Sequence, residues 1–389
     1  MDQPAGYRFV NLFLLTFFLL YGSLHAYFFL KVRAAFAPGP AVQAALAALL
    51  FFGLIAPIVV RAAERFGLEL LVKVVAWTGY IWMAVLFLFF ATGLLIDLYR
   101  LVISLAGLAL RREVAGFLPT ARMLFLIPCA LAVGVSCYGL FEARHLRTER
   151  VVVRSAKLPR TMERLRIVQI SDVHVGVLVR QGRLAAILRK VAEASPDLIV
   201  ATGDLVDGQL DSMAEAAAQF REIRPRYGKF AVTGNHEFYA GLDDAVEFIR
   251  QAGFTLLRQE MTAVAGVIDL AGVDDPTIRP FGPRGGLSDR DVLSGAAGRS
   301  GRFAILLKHQ PYVEADAPGA FDLMLSGHTH QGQIFPFSLL TSRFFAYHTG
   351  DYRLAKGALL HVSRGTGTWG PPIRFLSPPE ITVIDLFPG

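Results

Sequence analysis

Cysteine is nearly missing from this 389-residue chain, which has two. Cys129 and Cys137 lie in one apolar segment, two helical turns apart and too distant to bridge each other. A disulfide-stapled fold is excluded, and the C-terminal half has no thiol for an iron–sulfur cluster or a thiolate metal site. Charge is scarce as well: Asp, Glu, Lys and Arg make up 18% of the chain against 53% hydrophobic residues, where soluble domains carry about a quarter charged. Internal repeats and low-complexity tracts are lacking, so fibrous and disordered classes fall away. The shortage of charge is uneven. Residues 1–150 hold 13 Lys and Arg against 7 Asp and Glu, and the remainder holds 26 against 25. The basic excess therefore belongs to the greasy half, where it reads as a topology signal. A nearly neutral C-terminal half argues against nucleic acid as a partner.

Four stretches, roughly 9–30, 42–60, 74–96 and 123–141, have the length and apolarity that spanning a bilayer requires, about 20 residues at about 1.5 Å rise. The first is too long for a cleaved signal peptide and is followed by further spans. Tyr7, Tyr27, Tyr80, Trp82 and Tyr99 gather near span ends, as aromatic belts do. The shorter run 101–110, between Arg100 and Arg111-Arg112, predicts an interfacial helix. Four spans put the N-terminus and the C-terminal half on one side. Eight Lys and Arg flank the spans there against six opposite, which leans that side towards the cytoplasm. His25, near Ser23 in the first span, reads as a helix-packing contact.

The composition shift divides the chain into a helical anchor (1–143), a basic linker with a leading strand (144–165) and a separate domain (166–389). In that domain the apolar runs 166–171, 197–202, 229–233, 303–308, 321–326 and 359–363 predict buried strands. Leu184, Ile187, Leu188 and Val191, and likewise Leu242, Ala245, Val246 and Ile249, sit at helical spacing. Strands alternating with helices imply a layered α/β domain. The Gly-, Pro- and Arg-rich stretch 274–302 predicts a long loop.

Five of the strands run directly into polar clusters: Asp172-Val173-His174, Gly203-Asp204 with Asp207, Gly234-Asn235-His236-Glu237, His309, and Gly327-His328-Thr329-His330. Five of the nine histidines fall in them. Imidazole and carboxylate donors suit Zn, Mn or Fe, and residues two apart can point the same way into one site. The inventory meets the needs of two divalent ions: a bridging carboxylate, several terminal ligands and open positions for water. Gly203, Gly234 and Gly327 let the backbone come close. One Asp-x-His alone would be chance; five clusters at five strand ends are not independent turns.

This ordered series resembles the signature of calcineurin-like metallophosphoesterases, from about Val151 to the C-terminus. It is most similar to the bacterial, membrane-linked branch that includes YkuE-like and YaeI-like proteins. The resemblance extends to Arg364-Gly365-Thr366-Gly367, the run from Gly370 to Phe375, and Pro379-Glu380. It implies a four-layer αββα sandwich, here preceded by an α-helical transmembrane anchor, with two divalent metal ions between the sheets. By that likeness Asp172, His174 and His330 hold one ion, Asn235, His309 and His328 the other, and Asp204 bridges both. His236 is implied as an acid beside the metals, oriented by Asp207, and Arg364 and Arg374 as phosphate clamps. The expected activity is hydrolysis of a phosphomonoester, phosphodiester or pyrophosphate, on a small-molecule or lipid-linked substrate. The expected setting is the bacterial inner membrane. Gly208 stands where the Ser/Thr protein phosphatases have an arginine, which argues against that activity, and Gln331 stands where the nearer branch commonly has glycine. His348 and His361 belong to no cluster and read as structural. Nothing in the sequence points to a protein partner.

Overall fold

The computed structural model describes residues 5–208, 213–278, 288–294 and 301–389, with side chains of the first helix from residue 15. The chain divides into two compact units, residues 1–140 with 371–373, and residues 141–370 with 374–389.

The first unit is helical. Helices Ala5–Phe36, Pro40–Arg65, Glu69–Leu110 and Met123–Glu142 are long and apolar enough to cross a membrane. Proline at the first position starts the second helix, where its missing N–H costs nothing. His25 Nδ1 donates to the Tyr21 carbonyl at 2.8 Å, and its Nε2 accepts from Trp82 Nε1 at 3.0 Å. This is the packing contact its isolation suggested. The run 101–110 forms no helix of its own, contrary to expectation. It is the end of the 42-residue third helix, because neither Gly nor Pro interrupts positions 96–100. Asp97, the acidic charge there, accepts from Lys31 at 2.5 Å and Tyr27 at 2.7 Å. Both cysteines are free.

The second unit is built on two six-stranded sheets. The first runs, in spatial order, Arg147–Ser155, Glu380–Pro388, Leu165–Ile170, Leu198–Thr202, Lys229–Val232 and Thr255–Leu256; the second runs Gly350–Arg353, Leu359–Val362, Leu323–Ser326, Phe303–Leu307, Ile268–Gly272 and Glu260–Val264. Every strand read from the apolar runs is present, within two residues at either end. Glu380–Pro388, whose apolar run is broken by Glu380, Thr382 and Asp385, lies between Arg147–Ser155 (parallel) and Leu165–Ile170 (antiparallel). Its Asp385 takes two bonds from Arg166, at 2.7 and 3.0 Å.

Strand alternation sorts the side chains into three apolar layers. Ile167, Leu198, Val200, Ile384 and Leu386 meet Ile268, Leu270, Phe303, Ile305 and Leu323 between the sheets. Val168, Ile170, Ile199 and Ala231 face outward onto Leu184, Ile187, Phe220 and Phe248 of helices Gln181–Glu193, Met213–Glu222 and Leu242–Gln251. Ala271, Leu306, Met324 and Leu360 pack with Val292 and Leu293 beyond the second sheet, on the short helix Asp289–Ser294. That helix interrupts the stretch expected as a loop; residues 279–287 and 295–300 lie outside the described residues. Burial of both faces explains why these strands read as continuous apolar runs. Strands Leu165–Ile170, Leu198–Thr202 and Lys229–Val232 of the first sheet are mutually parallel, as are Ile268–Gly272, Phe303–Leu307, Leu323–Ser326 and Leu359–Val362 of the second. Their C-terminal ends therefore deliver the polar clusters to one edge, the usual crevice of an open parallel sheet.

Candidate metal centre

Each cluster begins where a strand stops. Asp172 N donates to Gly203 O and His174 N to Asp204 O, both at 3.0 Å, which locks the first two loops together. Asp172, His174, Asp204, His328 and His330 all have φ between +49° and +72°. Left-handed backbone costs an L-residue on the order of 1 kcal/mol or more, and its concentration at one place marks a functional constraint. Gln331 shares this conformation at φ +50°, where a glycine would cost nothing. Close approach uses the other glycines. A Cβ on Gly234 would overlap the Asp204 carboxylate, and one on Gly327 would overlap Ser171 Oγ and Asp172 Oδ2.

The candidate donor atoms converge. His174 Nε2 and His330 Nε2 lie 3.1 Å apart, and His330 Nε2 is 3.2 Å from Asp172 Oδ1. In a second group His309 Nε2 is 3.1 Å from His328 Nδ1 and 3.2 Å from Asn235 Oδ1. Asp204 Oδ2 belongs to both: it lies 3.2 Å from His309 Nε2 and 3.8 Å from His174 Nε2. Two imidazole lone pairs cannot satisfy one another. Edges of this length are what ligands about 2.1 Å from a tetrahedral or octahedral ion subtend, so the donor set fits a pair of metals. His309 Nδ1 donates to Thr202 O at 2.8 Å, which frees Nε2 as a lone pair. A further group, His174, Asp207 and His236, is also close enough to share a cation.

Burial sets the charge states. It pushes His174 down to about 3, with the neighbouring His236 adding, and His328 down to about 4, with His309 adding; both are neutral, the form that binds metal. Burial lowers His330 as well. His309 goes the other way, because Asp204 outweighs the burial, and whatever stabilises a proton at Nε2 stabilises a cation there. His236 is buried too, yet Asp204 and the 2.8 Å bond from Nδ1 to Asp207 Oδ1 lift it to about 9. Its backbone N–H donates to Asp204 Oδ1 at 2.9 Å.

The predicted metal and acid residues thus lie together; the two arginines are held by protein groups. Arg374 is fully buried. It donates to the carbonyls of Gly367, His330, Arg364 and Ser377, and its Nη2 lies 3.1 Å from His330 Nδ1. Arg364 is paired with Glu380 and Glu149. His361 Nδ1 meets Asp351 and its Nε2 meets Thr382, and His348 Nε2 meets Thr341.

Several contributors had no role assigned from sequence. Glu237 is fully buried and accepts from four amides: Asp204 and Leu205 at 2.9 and 2.7 Å, Val206 at 3.2 Å and Gly234 at 2.6 Å. It ties the loop carrying Asp204 to the one carrying Asn235. The spacing Gly-x-x-Glu at a helix start is the signal that could have found it. Gln333 clasps Trp369 through two bonds of 2.8 and 2.9 Å. Trp369 and Tyr239, both exposed, stand edge-on to His236 at 5.8 and 5.5 Å, and Phe345 stands edge-on to His328 at 5.3 Å.

The chain is similar to known proteins. Residues 165–332 match the family described as calcineurin-like phosphoesterase. The chain is 38% identical, over 66% of its length and 97% of the relative's, to an "Uncharacterized metallophosphoesterase" of Aquifex aeolicus. A "Transmembrane protein with metallophosphoesterase domain" of Danio rerio is 32% identical over 79% of this chain and 71% of its own. The metallophosphoesterase YkuE of Bacillus subtilis is 31% identical over 66% and 93%.

Proposed function

The chain belongs to the calcineurin-like metallophosphoesterases, metal-dependent phosphoesterases with a dinuclear centre, and from that premise we propose how its own residues divide the work. Asp172, His174 and His330 hold one divalent ion, Asn235, His309 and His328 the other, and Asp204 both. The observation that carries this reading is Asp204 Oδ2, placed 3.2 Å from His309 Nε2 and 3.8 Å from His174 Nε2, one oxygen between two sets of lone pairs. Mn, Zn or Fe suits the donors.

Bound ions neutralise phosphoryl oxygens and acidify a shared water. The protein's share is to hold the reacting groups in line and to supply a proton. His236 is that acid. Asp207 takes Nδ1 and keeps the ring protonated, which leaves Nε2 for the leaving oxygen. The bond from His236 N to Asp204 fixes the acid relative to the bridging carboxylate. Arg364 and Arg374 act by position: Arg374 set among carbonyls and Arg364 held by Glu149 and Glu380, they brace the loops rather than grip phosphate. Tyr239, Trp369 and Phe345 form an aromatic rim suited to a substrate with an apolar or planar group beside its phosphoester.

Residues 1–143 anchor the enzyme, 144–165 connect, and 166–389 carry the site. An anchor raises the effective concentration of membrane-resident substrates, which supports a lipid or envelope phosphoester. The flanking basic residues favour a bacterial inner-membrane protein with its site in the cytoplasm. Mn-loaded full-length protein should hydrolyse mono-, di- or pyrophosphate bonds in a panel that includes lipid-linked substrates. Two bound metals with no turnover on any of them would leave a metal-binding scaffold instead.

A further inference from the structure

Helix Phe337–Phe344 has no buried residue, although four of its eight residues are Phe or Leu. Leu339, Leu340 and Phe344 are 65, 50 and 74% exposed. Trp369, bonded to Gln333, and Leu376, next to Phe375 whose carbonyl accepts from Phe335 N, are exposed as well. Apolar side chains grouped in this way mark a contact surface.

What lies against that surface follows from three observations within the second unit. Glu142 ends the helix Met123–Glu142, so the chain leaves the bilayer there. Four residues separate it from strand Arg147–Ser155, a reach of at most about 18 Å, which keeps the start of the sheet near the headgroups. Hydrogen bonds then lead from this exit to the helix. Leu376 N donates to Glu142 Oε2 at 3.1 Å; Phe375 N donates to Gln333 O and Phe375 O accepts from Phe335 N, both at 3.0 Å; Phe335-Pro336 runs straight into Phe337. Finally, Arg144, Arg147 and Arg343 are exposed, the basic companions that an interfacial helix places at anionic headgroups.

We propose that helix Phe337–Phe344 seats in the interfacial layer of the phospholipid bilayer, with Leu339, Leu340 and Phe344 at the acyl boundary and Arg343 among headgroups. Phe345 follows the helix and stands edge-on to His328, so the seated helix holds the metal centre at headgroup depth. That last consequence rests on the function proposed above, whereas the seating does not.

The test uses the full-length protein in nanodiscs of phosphatidylcholine and phosphatidylglycerol, with Cys129→Ala and Cys137→Ala. A nitroxide is attached in turn at Leu339→Cys, Phe344→Cys and, as an exposed reference on helix Leu242–Gln251, Glu247→Cys. Labels at 339 and 344 should collide with oxygen in preference to a water-soluble nickel chelate, several-fold more so than the label at 247. Access to the chelate equal to that at 247 overturns the proposal by placing the helix in water. Protection from both reagents overturns it by placing protein there, a second copy or another partner. Neither readout depends on turnover, so a failed activity assay and a failed seating are told apart.

Discussion

Two buried histidine networks span the sheets, and they treat their lone pairs in opposite ways. At His361 both ring nitrogens have a protein partner, Asp351 and Thr382. Around Asp204, ring nitrogens face each other at 3.1 Å in two places, with carboxylate oxygens between. The first network is closed and holds strands together. The second brings ring nitrogens against one another, an arrangement that bound cations would relieve. Composition cannot separate them, since both are His with Asp or Glu; the direction of the lone pairs can.

The largest effect should come from removing the shared oxygen. Asp204→Ala is expected to lose both metals and all measurable turnover, read by elemental analysis and phosphate release; full activity with unchanged metal content would sink the bridge. Next, His236→Ala should lower turnover about 10²- to 10⁴-fold while two metals stay bound. The loss should shrink for a p-nitrophenyl leaving group, which needs no proton, and a loss independent of leaving group would count against the acid role. Glu237→Gln puts an amide donor against four amide donors. Metal affinity should fall about 10- to 100-fold and the melting temperature with it, and a variant with wild-type metal binding would remove Glu237 from the centre.

The closed network should show only a titration. Burial opposes charge on His361, but Asp351 and Glu380 lift its pKa to about 8. Because the folded value lies above the unfolded one of about 6.5, the stabilisation is complete below pH about 6.5 and gone above about 8. With Asp351 largely exposed, it amounts to about 1 kcal/mol. Thermal unfolding between those pH values should show the loss in the parent protein and not in His361→Gln.

Much of this was legible in the chain itself. The strands stood out because both faces of the sheets are buried, and the polar clusters stood out because each follows such a strand. Other parts were hidden for physical reasons. Glu380–Pro388 has its apolar run broken by Glu380, Thr382 and Asp385, the last matched to Arg166. Glu237 works through backbone amides, which leave no mark in residue identity. Arg374 looked like a phosphate clamp by residue type, and its burial among carbonyls is a property of packing. The run 101–110 was short enough to look separate, yet nothing in the preceding five residues could end a helix.

The left-handed backbone at Asp172, His174, Asp204, His328 and His330 has a consequence for the life of the protein. Five such residues, at about 1 kcal/mol each, use a sizeable share of a domain's usual margin of about 5–15 kcal/mol. Ions that bind the folded form alone return that margin by mass action. Cellular metal supply therefore sets how many copies escape proteolysis as well as how fast each one works, and starvation for the ion thins the population before it slows the survivors.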